Sequence, residues 1–253
     1  MAHVIAIVNQ KGGVGKTTTT LSLASYLAES GKFVCVIDMD PQANASSGLG
    51  VDHRSVVRGL YEVLSGTTTL REALVTTSHE GLVLVPATAA LAGANIELVT
   101  VPRREYRLAD ALFEARHGFD VVLIDCPPSL GLLTINALAA SDSVLIPVQA
   151  EYYALEGLGQ LLETIDLIRQ QIRPSLAILG AVITMYEGRL RLSNDVLTEL
   201  YRYFPNRVFR SVIPRNVRLA EAPSHGKTIA RYDPDSKGAR AYEKLTRELL
   251  AVI

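Results

Sequence analysis

Residues 9–19 read NQKGGVGKTTT, and their spacing suits one kind of chemistry. Gly12, Gly13 and Gly15 let the backbone turn its N–H groups inward around phosphate oxygens. Lys16 would carry its ammonium to the β- and γ-phosphates of a nucleotide. Thr17 would offer its hydroxyl to Mg²⁺. Val14 and Thr18 complete the candidate nucleotide-binding run. The usual pattern, G-x-x-x-x-G-K-[ST], would place its first glycine at position 10, where Gln10 stands, with Lys11 next. The loop is therefore a deviant form, K-G-G-x-G-K-T. Lys11 is a second lysine that phosphate binding within one chain does not need.

Three carboxylates share the theme. Asp125 ends the apolar run VVLI at 121–124 and would hold Mg²⁺ directly or through water. Asp38 and Asp40 belong to DMDPQANAS at 38–46 and follow a second apolar run. Asp38 suits either a supporting place beside the metal or the cap of the turn at Pro41. Pro127 and Pro128 stiffen the loop after Asp125. The five histidines have no ligand spacing, so no zinc site is expected, and no Ser-His-Asp arrangement stands out.

These groups need elements to position them. Short β-branched runs alternate with longer amphipathic stretches. Strands are expected at 3–8, 33–37, 82–85, 121–124, 144–148 and 176–183, with a short one at 209–213. Helices are expected at 17–29, 104–116, 132–139, 155–172 and 194–203, and the tail YEKLTRELLAVI reads as a docking helix. Loops fall at 46–50 and 185–193. Several strands are apolar on consecutive residues, as strands buried on both faces are. The expected fold is α/β, a doubly wound, mostly parallel twisted sheet with helices on both faces. In such a sheet, ligands sit beyond the carboxyl ends of the strands, so Asp38, Asp40 and Asp125 point to the phosphate end.

Composition bounds the rest. The 253 residues are 48% hydrophobic and 20% charged, enough for a large core and far from a disordered chain. The net charge of −1 excludes a strongly basic molecule. Charge is uneven, however: residues 185–231 hold nine Lys or Arg against four acids. Two cysteines, Cys35 and Cys126, cannot build a disulfide framework and fit a reducing cytoplasm. No apolar run nears the roughly 20 residues that span a bilayer, and the N-terminus lacks the marks of a signal peptide.

The whole chain resembles the ParA/Soj family of partitioning ATPases, within the wider group that includes MinD. The likeness is carried by NQKGGVGKTTT, DMDPQANAS, LIDCPPS at 123–129, PVQAEYYALEG at 147–157 and VIPRNVRLAEAPSHGKTI at 212–229. It implies a P-loop ATPase using ATP/ADP and Mg²⁺, with Asp40 orienting the attacking water. It implies that Lys11 reaches across an ATP-dependent homodimer to the partner's phosphates. It places the adenine between Met185 and Pro214, with Arg215 and Asn216 beside it. It implies non-specific DNA contacts at Arg189 and Arg218, stimulation by a ParB-type centromere-binding protein, and a cytoplasmic, nucleoid-associated life. A single domain over 1–253 is expected, with no N-terminal helix-turn-helix domain.

The same fold serves other uses, each with its own sequence requirement. A MinD-like membrane-associated division regulator would need a basic amphipathic C-terminal anchor. In the tail, Lys244 and Arg247 are balanced by Glu243 and Glu248, so no membrane partner is expected. A metabolic or metal-delivery ATPase would be expected to carry a CxxC pair, which this sequence lacks. A nucleotide-gated module without catalysis would not need Asp40.

Overall fold

The computed structural model describes residues 1–151 and 156–253. Tyr152 and Tyr153, expected to be packing residues, lie outside the described residues. Among the described residues, one sheet has the strand order β3-β4-β2-β5-β1-β6-β7. The strands are β1 (His3–Ile7), β2 (Val34–Asp38), β3 (Val75–Thr76), β4 (Leu82–Val85), β5 (Val121–Asp125), β6 (Ser143–Gln149) and β7 (Ala177–Thr184). Every pairing is parallel except the edge pair β3–β4. The carboxyl ends of β1, β2, β5, β6 and β7 therefore share one edge.

The helices are α1 (Lys16–Glu29), α2 (Asn44–Gly48), α3 (Leu60–Ser65), α4 (Leu91–Glu97), α5 (Arg107–Ala115) and α6 (Leu132–Ala140). Then follow α7 (Glu156–Gln171), α8 (Arg191–Tyr203), α9 (Val217–Glu221), α10 (Ile229–Tyr232) and α11 (Lys237–Leu250). Side chains of the central strands alternate between two cores. Val4, Ala6, Cys35, Ile37, Val122 and Ile124 face a core shared with α5, α6 and α7. Ile5, Ile7, Val34, Val36, Val121 and Leu123 face the other, with Leu23 and Leu27 of α1 and Tyr242, Leu245 and Leu249 of α11. Burial on both faces explains the unbroken apolar runs.

Helix α1 opens with four threonine-rich positions that favour helix poorly. Tertiary bonds outweigh that preference. Thr20 donates to the Lys16 carbonyl (3.0 Å) and to Asp125 (3.0 Å), and the Thr19 and Tyr242 hydroxyls meet at 3.0 Å.

Four expectations need correction. The 46–50 loop is largely α2, because Asp38 takes the Ser46 N–H (2.8 Å) and hydroxyl (2.7 Å) and fixes that turn. Helix α8 begins at Arg191, so the 185–193 loop is shorter. Residues 209–213 do not form a regular strand. They run beside β7 through single bonds such as Phe209 N–H to the Ala181 carbonyl (2.9 Å). Glu248 of α11 captures the Arg210 N–H (2.8 Å) and the Ser211 hydroxyl (2.6 Å), which interrupts the ladder. Finally, residues 104–106 form a 3-10 turn ahead of α5 rather than its first turn.

Candidate functional site

The phosphate cradle forms where β1 runs into α1. Gly13 (φ 74°) and Gly15 (φ 91°) are left-handed, a conformation that glycine tolerates without strain. Gly15 is also the N-cap of α1, and no side chain caps that end. The first amides of a 14-residue helix therefore point at the loop, where an anion is stabilised. Thr184, at the end of β7, donates to the Val14 carbonyl (2.7 Å) and pins the loop from the far side.

Lys16 is 7% exposed, and its ammonium meets the Lys11 carbonyl at 3.2 Å. Burial lowers its pKa, while Asp125 pulls it back up. A buried cation with so little countercharge in direct contact is ready for an anion.

Asp125 is fully buried. Its two oxygens accept from Thr17 (2.7 Å) and Thr20 (3.0 Å). Burial raises its pKa, against the pull of both hydroxyls and of Lys16. A threonine hydroxyl touching a carboxylate is an oxygen donor set suited to a hard cation such as Mg²⁺. Asp38 lies opposite Asp125 in the sheet register and is fully buried too. Its pKa is raised first by burial and then by the Asp125 charge. Its oxygens accept from Ser46 and from the Asp40 N–H (3.3 Å), the bonds of a turn cap rather than of a metal ligand.

Asp40 is 7% exposed at the carboxyl edge of β2. One oxygen accepts the Gln42 N–H (3.0 Å), which fixes the carboxylate's orientation. The Asp40 carbonyl accepts from Ala43, a left-handed residue (φ 53°), so the turn holding Asp40 is tight.

A cavity of about 310 Å³ opens beside Gly15 and Thr18 and is lined by Met185, Pro214, Arg215, Asn216 and Tyr242. Tyr186 and Pro214 bridge, which brings the two predicted base loops together. Met185 is itself left-handed (φ 50°), unusual for a bulky residue. The Asn216 side-chain oxygen Oδ1 caps α9 by accepting from the Arg218 backbone N–H (2.8 Å), which leaves its side-chain amide N–H groups for a ligand. Tyr242 escaped sequence reading. It comes from the last helix, with nothing in its spacing to mark it.

Lys11 turns away from its own cradle. Its ammonium pairs with Glu151 at 3.3 Å. Asn9 and Gln149, which carried no sequence-derived role, bond to the Lys11 backbone and the Glu151 carboxylate.

The basic segment is partly neutralised. Arg218 pairs with Glu221 (2.8 Å) and Asp233 (3.3 Å), and Arg215 pairs with Glu187 (2.7 Å). Arg189 is exposed in the loop between β7 and α8 and has no ion pair among the described residues.

Comparison with known proteins agrees with this geometry. A family model described as an AAA domain matches residues 2–178. The sporulation initiation inhibitor protein Soj of Bacillus subtilis is 52% identical over 251 residues, covering 99% of both chains. The chromosome-partitioning ATPase Soj of Thermus thermophilus is 52% identical, covering 98% of this chain and 95% of that one. Among solved structures, a Mycobacterium smegmatis protein named cobyrinic acid a,c-diamide synthase, with bound ADP and magnesium, superposes with a TM-score of 0.87 at 41% identity. That match covers 99% of this chain and 94% of the other. McdA of Cyanothece superposes at 0.89 with 23% identity, covering 100% of this chain and 97% of that one, a likeness of fold. Sequence likeness that runs end to end, over a P-loop sheet carrying the deviant cradle, places this chain in the ParA/Soj family of chromosome-partitioning ATPases.

Proposed function

We propose that the chain hydrolyses ATP and uses the ATP-bound state to form a sandwich dimer that holds non-specific DNA. The observation that carries this reading is Lys16, a buried ammonium beside a cradle of open helix amides. Gly12 to Thr18 bind the phosphates, and the cavity between Met185 and Pro214 takes the adenine. Thr17 and Asp125 hold Mg²⁺, which supplies charge neutralisation at the phosphate oxygens. Asp40 orients the attacking water with the oxygen that Gln42 leaves unused. Lys11, supplied by the partner copy, stabilises charge developing on the phosphoryl oxygens.

Arg189 and Arg218 belong to the DNA-facing surface, a ParB-type protein stimulates hydrolysis, and the protein works in the cytoplasm on the nucleoid. Among the described residues, no helix is long and apolar enough to cross a membrane. Helix α11 buries its apolar side in the core it shares with α1, through Tyr242, Leu245 and Leu249. That packing favours the DNA reading over a membrane-anchored one. The amide-synthase name of the solved neighbour points to a metabolic use of the fold, but at lower identity than the partitioning relatives.

The test is sedimentation with non-specific DNA. ATP should drive dimerisation and DNA binding, and ADP should drive neither. Asp40→Ala should bind ATP, dimerise and hold DNA while hydrolysis falls on the order of 100-fold or more. DNA binding that ignores the nucleotide would remove this reading.

A further inference from the structure

The backbone of Lys11 and the carboxylate of Glu151 are each tied to β6. The Asn9 side chain accepts the Lys11 backbone N–H (2.9 Å) and donates to the Pro147 carbonyl (2.8 Å). Gln149, 8% exposed at the end of the same strand, donates to one Glu151 oxygen at 2.6 Å. The other Glu151 oxygen takes Lys11 at 3.3 Å. The carboxylate is thus fixed in place, and the lysine's backbone is fixed where its ammonium can reach it.

A second cation stands next to it. Arg215, which lines the base cavity, lies 3.8 Å from Glu151 and 2.7 Å from Glu187. Charges alternate from the phosphate loop to the base cavity: Lys11, Glu151, Arg215, Glu187. If Lys11 departs, Glu151 keeps both Gln149 and Arg215, so its charge is not stranded.

We propose that Glu151 is a latch on Lys11 that keeps the lysine within its own protomer and so sets the threshold for ATP-driven dimerisation. The proposal rests on the trans role given to Lys11 above. The latch is weak by construction. The Lys11 and Glu151 side chains are 34% and 45% exposed, and exposed pairs change equilibria by about fivefold at most. A nucleotide triphosphate on a second copy offers several oxygens and more negative charge than one carboxylate. Lys11 therefore exchanges partners when that copy is loaded and remains latched when it is not.

Glu151→Gln tests this, because glutamine can still accept from Gln149 but carries no charge. The measurement is sedimentation of the full chain with a slowly hydrolysed ATP analogue over a range of protein concentrations. Each dimer releases two latches, so the variant should dimerise at a midpoint lower by about four- to 25-fold, and the gap should close as salt is raised to about 0.5 M. Monomer affinity for ADP should be unchanged. A midpoint equal to the parent's, or a higher one, overturns the latch. Lys11→Ala is measured in parallel: normal dimers there would overturn the trans reading itself. Absent dimers in Lys11→Ala with an unmoved Glu151→Gln midpoint would overturn the latch alone.

Discussion

A buried lysine is costly unless an anion meets it, and Lys16 has one carbonyl within reach. Lys16→Ala should therefore lower nucleotide affinity on the order of 100-fold, read by calorimetric titration. Affinity kept within about twofold would detach Lys16 from the phosphates. A second buried group makes an opposite demand. His79 is 4% exposed, and its Nε2 has no hydrogen-bond partner among the described residues. Burial, with Arg231 nearby, pushes its pKa down to about 4. The fold thus favours the neutral ring. The stability this gives is full above the ordinary histidine value of about 6.5 and is lost as pH falls toward 4. In melts of the ligand-free protein, His79→Leu should flatten the loss of Tm between those values, by about 1–3 kcal/mol in stability. An unchanged acid slope would move that dependence to another group. At this scale the phosphate loop was legible because each residue type has one chemical use at its spacing. Glu151 and His79 were not, because their roles come from neighbours on other elements.

Elements were legible where burial leaves a mark on the sequence. The runs in β1, β2 and β5 are apolar on both faces and could be read directly. Helices α2, α3, α4, α9 and α10 span only 4–7 residues each, too short to show a period. The segment 209–213 reads as a strand by composition, yet Glu248, remote in sequence, takes its backbone N–H. That segment carries Pro214 to Asn216 into the base cavity, and one glycine governs its approach. A Cβ on Gly180 would lie 2.8 Å from the Arg207 carbonyl and 2.9 Å from the Phe209 ring. Gly180→Ala should push the segment off β7, destabilise the chain by about 1–3 kcal/mol and weaken nucleotide binding with it. Thermal melting and ADP titration read the two effects. A stability loss with unchanged ADP affinity would show that the cavity does not depend on this seam.

Across the whole molecule, near-neutral charge conceals an uneven surface, and the fold decides which cations are available. Sequence counting treats the arginines of 185–231 alike. Folding gives Arg218 two carboxylates, while Arg189 stays exposed in the loop after β7. Each arginine that meets a phosphate releases about one counterion per chain, so an ATP-bound dimer loses about two with each substitution. The slope of log affinity against log salt scales at roughly −0.9 per phosphate. Arg189→Glu should therefore reduce the steepness by nearly two units. Arg218→Glu should reduce it less, because its guanidinium must first leave Glu221 and Asp233. Neither site lies within the nucleotide cradle, so ATP-driven dimerisation should persist in both. DNA binding of the ATP-bound dimer across a salt series, beside sedimentation of the same variants, reads both quantities. Unchanged slopes in both would take these arginines off the DNA face. Loss of dimers together with DNA binding would place them at the subunit interface. A larger effect at Arg218 than at Arg189 would mean that DNA displaces the two carboxylates at little cost.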